Sequence, residues 1–173
     1  MDPALIARLA ADLTAADFTV DGLTELWGED AAAALHRGQR VPTSRALTDS
    51  PLSTLARALV LGYPVDPDAL DRALPTLTAA GAVALGLVDA AGSPLLDLRP
   101  YSVVDARGVA AWWIASDLGE LALGHAIPEH HVLGVGGAST TLSGLMLAEP
   151  VDLALDLGTG CGIQALHAAR HAK

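Results

Sequence analysis

The chain has 173 residues and carries 20 acidic groups against 10 Lys and Arg, a net charge of −10 that excludes a phosphate backbone as a general partner unless its cations gather in one place. It is 51% hydrophobic with a mean hydropathy of +0.40, yet Pro, Gly, Ser and Thr interrupt the two longest uncharged stretches, 73–88 and 132–148. Neither reaches the roughly 20 apolar residues of a membrane span, so no membrane partner is expected, and the single cysteine, Cys161, excludes an internal disulfide framework and fits a reducing cytoplasm.

The opening PALIARLAADLTAAD, residues 3–17, predicts a helix with Leu5, Leu9 and Leu13 on one face, and no basic leader of a secretion signal precedes it. Asp21 or Thr24 caps a second predicted helix that runs to about His36 and stops at Gly38. Between Asp30 and Asp49 the chain has no acid but holds Arg37, Arg40 and Arg45, with His36 beside them. That stretch reads as a solvated loop between helices, and its alternative is a substrate-contact patch formed by the three arginines. Ser50 and Pro51 start a third helix that Gly62 ends, and Asp66 and Pro67 start a fourth that runs to about Leu74.

The texture then changes. Residues 81–88 (GAVALGLV) read as a strand, DAAGSP as a turn and Leu95–Val104 as a second strand, after which DARG (105–108) turns the chain into AWWIAS. Helices followed by a β-ribbon is the order of a winged-helix-like domain, expected over residues 1–120. The acidic balance argues against duplex DNA as its ligand, and fold does not fix function. On a strand, Trp112 and Trp113 point to opposite faces, one into the core and the other free to stack on a base or peptide. Residues 121–150 read as a connector. In it Gly134, Gly136 and Gly137 forbid a stiff start, and Ser139 or Thr140 caps a helix from about Thr141 to Leu147.

The chemistry is concentrated in VDLALDLGTGCGIQALHAARHAK, residues 151–173. An alternating apolar run, 151–157, predicts a buried strand leading into Asp156-Leu-Gly158-Thr159-Gly160-Cys161-Gly162 and then a helix from Ile163 to about Ala172. Strand, glycine turn and helix form the first unit of a doubly wound α/β sheet, whose ligands sit beyond the strand's carboxyl end. Gly160 to Ala165 also satisfies the loose G-x-G-x-x-G/A dinucleotide fingerprint. The acid two residues before the first glycine favours the other class of ligand. A carboxylate there repels a pyrophosphate and attracts the ammonium and sulfonium of S-adenosylmethionine.

DLGTGCG resembles motif I of class I S-adenosylmethionine-dependent methyltransferases, in both spacing and type. The whole chain is similar to a bacterial group with a winged-helix-like domain ahead of a Rossmann-like methyltransferase domain, through SPLSTLARALVLGYPV, LDLRPYSVV, WWIASDLG and VLGVGGASTTL. The wider family includes enzymes that methylate ribosomal RNA guanine amino groups and release-factor glutamine. The resemblance implies that Asp156, Gly158, Thr159, Gly160 and Gly162 line the methionine half of the cofactor. It also implies that Gly136, Gly137, Ser139 and Thr140 lie across it, a segment whose other reading is a helix-capping turn. It further implies an rRNA or protein substrate positioned by the front domain. The acid that binds the ribose hydroxyls is expected about 20 residues past the loop, whereas the chain ends 11 residues after Gly162. The family's Asn-Pro-Pro-Phe/Tyr motif is likewise absent. The expectation is therefore an N-terminal fragment of the enzyme: catalytically silent, weak or inert towards S-adenosylmethionine, and prone to self-association through its exposed 151–157 strand. His167 and His171, four apart on one helix face, read as a surface or partner-facing pair rather than metal ligands, since no third ligand accompanies them.

Overall fold

In the computed structural model, which describes residues 2–173, Pro3 opens helix α1 (Pro3–Ala15) and the Asp2 side chain accepts from Ala4 N at 2.8 Å to cap it. A turn through Asp17 leads to α2 (Val20–Trp27), capped by Thr19, whose hydroxyl accepts from Gly22 N at 2.9 Å. The single helix expected from Asp21 or Thr24 to His36 is two. Gly28 takes φ of 78°, a left-handed value that breaks the helix, and α3 (Glu29–His36) leaves in a new direction. The segment read as a loop contains α4 (Val41–Ala46), with Pro42 in its first turn. Ser50 and Pro51 start α5 (Pro51–Leu55) as expected, and it continues as a π-helical turn over Ala56–Val60. Its wider turn presents Ala56, Ala58, Leu59 and Val60 to the interior together, more than one stripe of a regular helix would bury.

Asp66 caps α6 (Pro67–Ala73), its carboxylate accepting from Asp68 N at 2.8 Å. Val88 alone of the strand expected at 81–88 makes a bridge, to Pro94, and residues 81–84 belong to helix α7 (Thr78–Ala84). Its Gly81 and Ala82 are small enough to pack under Leu77, so an apolar run without alternation takes the helical solution. The DAAGSP turn is held by Asp89, which accepts from Ala91 N and Ser93 N. Strands β1 (Asp97–Asp105) and β2 (Gly108–Ser116) then pair antiparallel, with Tyr101 opposite Trp112 and Pro100 opposite Trp113. The one-turn α8 (Glu120–Leu123), α9 (Gly137–Leu145) and α10 (Ile163–Ala168) complete the chain.

The protein is thus mixed α+β, with ten α-helices and one two-stranded antiparallel sheet among the described residues. Leu9, Leu13, Phe18, Leu55, Leu70, Leu74, Leu77, Val88 and Leu98 form the core beneath one face of the hairpin. Buried Asp12 ties α1 to the α6–α7 turn by accepting from Thr76 N, Thr76 Oγ1 and Leu77 N, the last two at 2.6 and 2.8 Å. Trp113 is the core tryptophan, its indole N–H donating to Phe18 O at 2.8 Å.

The buried strand expected at 151–157 does not form. Val151 alone makes a parallel bridge, to Ala172, and Leu153, Leu155 and Leu157 are 82–85% exposed. No described strand lies alongside to take the remaining N–H and C=O groups, and backbone without a ladder stays extended rather than sheet. Helix α10 also ends at Ala168 rather than about Ala172. Among the described residues no helix is long and apolar enough to cross a membrane.

Candidate functional site

The glycine loop owes its path to three left-handed residues: Gly158, Gly160 and Gly162 have φ of 71°, 54° and 84°. A Cβ at any of them would meet no atom closer than 3.8 Å, so conformation rather than crowding reserves these positions for glycine. The loop is closed on itself by Gly162 N donating to Thr159 O at 2.9 Å, while Thr159 Oγ1 donates to Asp156 O at 3.0 Å. The result is a largely exposed turn that leads into α10, which buried Ile163 anchors.

Asp156 stands at the foot of this loop. Its Oδ2 is buried and has no hydrogen-bond partner. An ionised carboxylate oxygen withdrawn from water without a donor is costly, which favours a cation or donor beside it. The residues present therefore fit a positively charged group at this end of the loop, and the same oxygen disfavours a diphosphate.

The second candidate segment lies against the first. Gln164 Nε2, in the first turn of α10, donates to Ser139 O in α9 at 2.8 Å, and the amide's Oε1 is buried without a partner. Gly136 caps α9 with an extended backbone and Gly137 begins it. The helix thus starts four residues before the Thr141 start expected from a Ser139 or Thr140 cap. Those two residues lie inside the helix, where Thr140 Oγ1 donates to Gly137 O at 3.0 Å. Sequence reasoning missed this because a glycine N-cap leaves no side-chain signal.

One of the three arginines is engaged within the fold. Arg40 Nη1 donates to Leu61 O at 2.9 Å and its guanidinium lies 4.3 Å from the Tyr63 ring centroid, so it serves as a cation–π clamp between α4 and the end of the π-helical turn. Arg37, at the end of α3, and Arg45, in the last turn of α4, are exposed.

His167 departs from the expected surface pair, for it is buried against the hairpin. Its Nε2 shares a 3.1 Å hydrogen bond with the Tyr101 hydroxyl, and its ring stands edge-on to Tyr101 and Trp112 at 5.7 and 5.6 Å. Trp112 itself stacks on Tyr101, with centroids 6.1 Å apart. One turn on, Arg170 Nη2 donates to Asp105 Oδ1 at 2.8 Å and to Gly108 O at 3.0 Å. Burial, then the Arg170 charge, holds the imidazole below its ordinary pKa, while Asp105 opposes them. At the start of β1 Asp97 is pushed above the usual carboxylate range by burial, against the hydrogen bond and charge of Arg99. The helix behind the glycine loop is thereby fastened to the hairpin of the front region. The sequence signal for this was only Tyr101 and Trp112 at paired positions of two predicted strands.

Among the described residues no three His, Cys, Asp or Glu side chains converge as metal ligands. Compared with known proteins, the chain matches, over residues 15–100, a family described as a domain of unknown function, DUF7059, just under half of its length. No curated protein and no solved structure matches it.

Proposed function

We propose that this chain carries the substrate-positioning front region and the methionine-binding loop of an S-adenosylmethionine-dependent methyltransferase that modifies a nitrogen on ribosomal RNA or on a protein glutamine. The carrying observation is the buried, unpartnered Asp156 Oδ2 beneath three left-handed glycines. On this reading residues 1–120 are a winged-helix-like domain, 121–150 a connector, and 151–173 the glycine loop and first helix of a Rossmann-like unit, preceded by extended chain. In support stand the order of helices then hairpin, and the glycine loop that opens α10. When bound, S-adenosylmethionine supplies an electrophilic methyl group.

The chain's own part is to bind and to orient. Asp156 would hold the ammonium and the backbone of Gly158–Gly162 the methionine chain, while the Gln164–Ser139 contact fixes α9 beside the loop. Methyl transfer needs the acceptor nitrogen aligned with the sulfonium at near-attack distance more than it needs acid–base groups. The Tyr101–His167 and Asp105–Arg170 contacts give the front region a fixed bearing on the loop, as substrate positioning requires. Binding is weak, because only the methionine end has partners among these residues.

Titration of the chain with S-adenosylmethionine, followed by the amide resonances of residues 156–162, tests the reading. Those resonances shift for the wild type, and Asp156→Asn weakens the effect about tenfold or more, as loss of one charged partner does. Shifts produced by NAD instead, or an Asp156→Asn protein that responds as the wild type does, would sink it.

A further inference from the structure

A second concavity lies on the opposite side of the hairpin from α10, where the α1–α2 turn leaves the far half of the strands uncovered. It holds about 600 Å³ between Asp17–Asp21 on one wall and Pro100, Ser102, Val104, Val109, Ala111 and Trp113 along the floor. At its outer end Val104 and Val109, a cross-strand pair, are 76% and 74% exposed. No basic residue lines it. A neighbouring depression of about 630 Å³ shares Val20 and Asp21 and continues the acidic wall through Glu25 and Glu29.

The wall is fixed before any ligand arrives. Asp17 has a left-handed backbone, with φ of 54°, and its Oδ1 accepts from Thr19 Oγ1 at 3.1 Å. Its Oδ2 lies so close to Gly22 that a Cβ there would be 2.7 Å away. Neither Asp17 nor Asp21 forms an ion pair among the described residues. The indole N–H of Trp113 joins the wall to the floor through Phe18 O.

We propose that this cleft binds a lysine- or arginine-bearing segment of a basic protein. A segment bearing lysine or arginine matches it: aliphatic parts lie on Val104 and Val109 while cationic heads reach Asp17 and Asp21. The acidic wall continues past the first cleft, which fits several basic residues in a row rather than one small cation. The same carboxylates repel a phosphate backbone. The cleft therefore favours a protein over an RNA as the partner of this face, whatever the glycine loop binds.

The test uses fluorescence anisotropy with a short labelled peptide in which lysine and arginine alternate with valine and leucine. A glutamate-substituted peptide and an oligouridylate of equal length serve as competing probes. The basic peptide binds at low ionic strength, more weakly as salt rises, and shifts the Trp113 indole N–H resonance. Asp17→Asn with Asp21→Asn lowers its affinity about tenfold. Asparagine accepts the left-handed backbone of position 17, so that variant keeps the fold. Val104→Ser with Val109→Ser, at positions already in solvent, gives a second loss. Unchanged affinity in the carboxylate variant, tighter binding of the oligouridylate, or an unmoved Trp113 resonance would overturn the proposal. Asp156→Asn leaves peptide binding intact, so failure of the cofactor reading and failure of this one are separable.

Discussion

Residues 3–116 and 117–173 are similarly rich in leucine and alanine together, though glycine is about twice as frequent in the second, and they fold in different ways. In the first region every helix but α4 buries apolar residues, and all the buried hydrophobic residues but Ile163 lie there. In the second, Leu133, Leu142, Leu145, Leu147, Leu153, Leu155 and Leu157 face solvent, and the helices α8 and α10 last four and six residues. Apolar residues specify burial only when a facing surface is within reach. Short helices draw most of their stability from such a surface rather than from propensity.

The contrast is broken most severely at its centre. Phe18 is fully buried, and its carbonyl receives the Trp113 indole. Phe18→Ala removes a large side chain from a site enclosed by α1, α2 and the hairpin, and should cost about 3–5 kcal/mol in chemical denaturation. A loss under 1 kcal/mol would mean that the front region is not the packed unit described.

The hairpin–α10 contact joins the regions, and pH should sharpen its role. The docked imidazole of His167 has a pKa below its free value near 6.5. Above that free value both states are neutral and docking is complete. As pH falls through it the undocked ring takes up a proton first, so docking weakens until the docked value is passed. Tryptophan fluorescence followed from pH 8 to 5 should report undocking of α10 from Trp112. His167→Phe, which keeps the aromatic packing without a titrating nitrogen, should flatten the profile. A profile identical to the wild type would assign the transition to another group.

Legibility in the sequence did not follow that divide. Helix starts carried by Ser50-Pro51 and Asp66-Pro67 were readable because each cap satisfies orphan N–H groups by a local side chain or a preset φ. The hairpin was readable from β-branched and aromatic runs around DARG. Gly28, Gly81 and Gly136 were not, because glycine breaks, packs into or caps a helix depending on neighbours that local sequence does not display. At the glycine loop, spacing announced the turn. The burial of His167, the diversion of Arg40 to Tyr63 and the Asp17 cleft arise from residues tens of positions apart.

The smallest expected effect tests the other half of the contrast. Leu155 lies in a row with Leu153 and Leu157, and the three are too exposed to have stability to lose. Leu155→Ser should therefore change unfolding free energy by no more than about 0.5 kcal/mol, as surface substitutions do. The measurement is informative because a contiguous apolar row in water ordinarily marks an interface. If the loss exceeds about 1 kcal/mol and grows with protein concentration, the row is covered by a second copy in solution, and the serine should shift sedimentation towards the monomer. A loss of that size independent of concentration would place the leucines inside the fold and contradict their exposure.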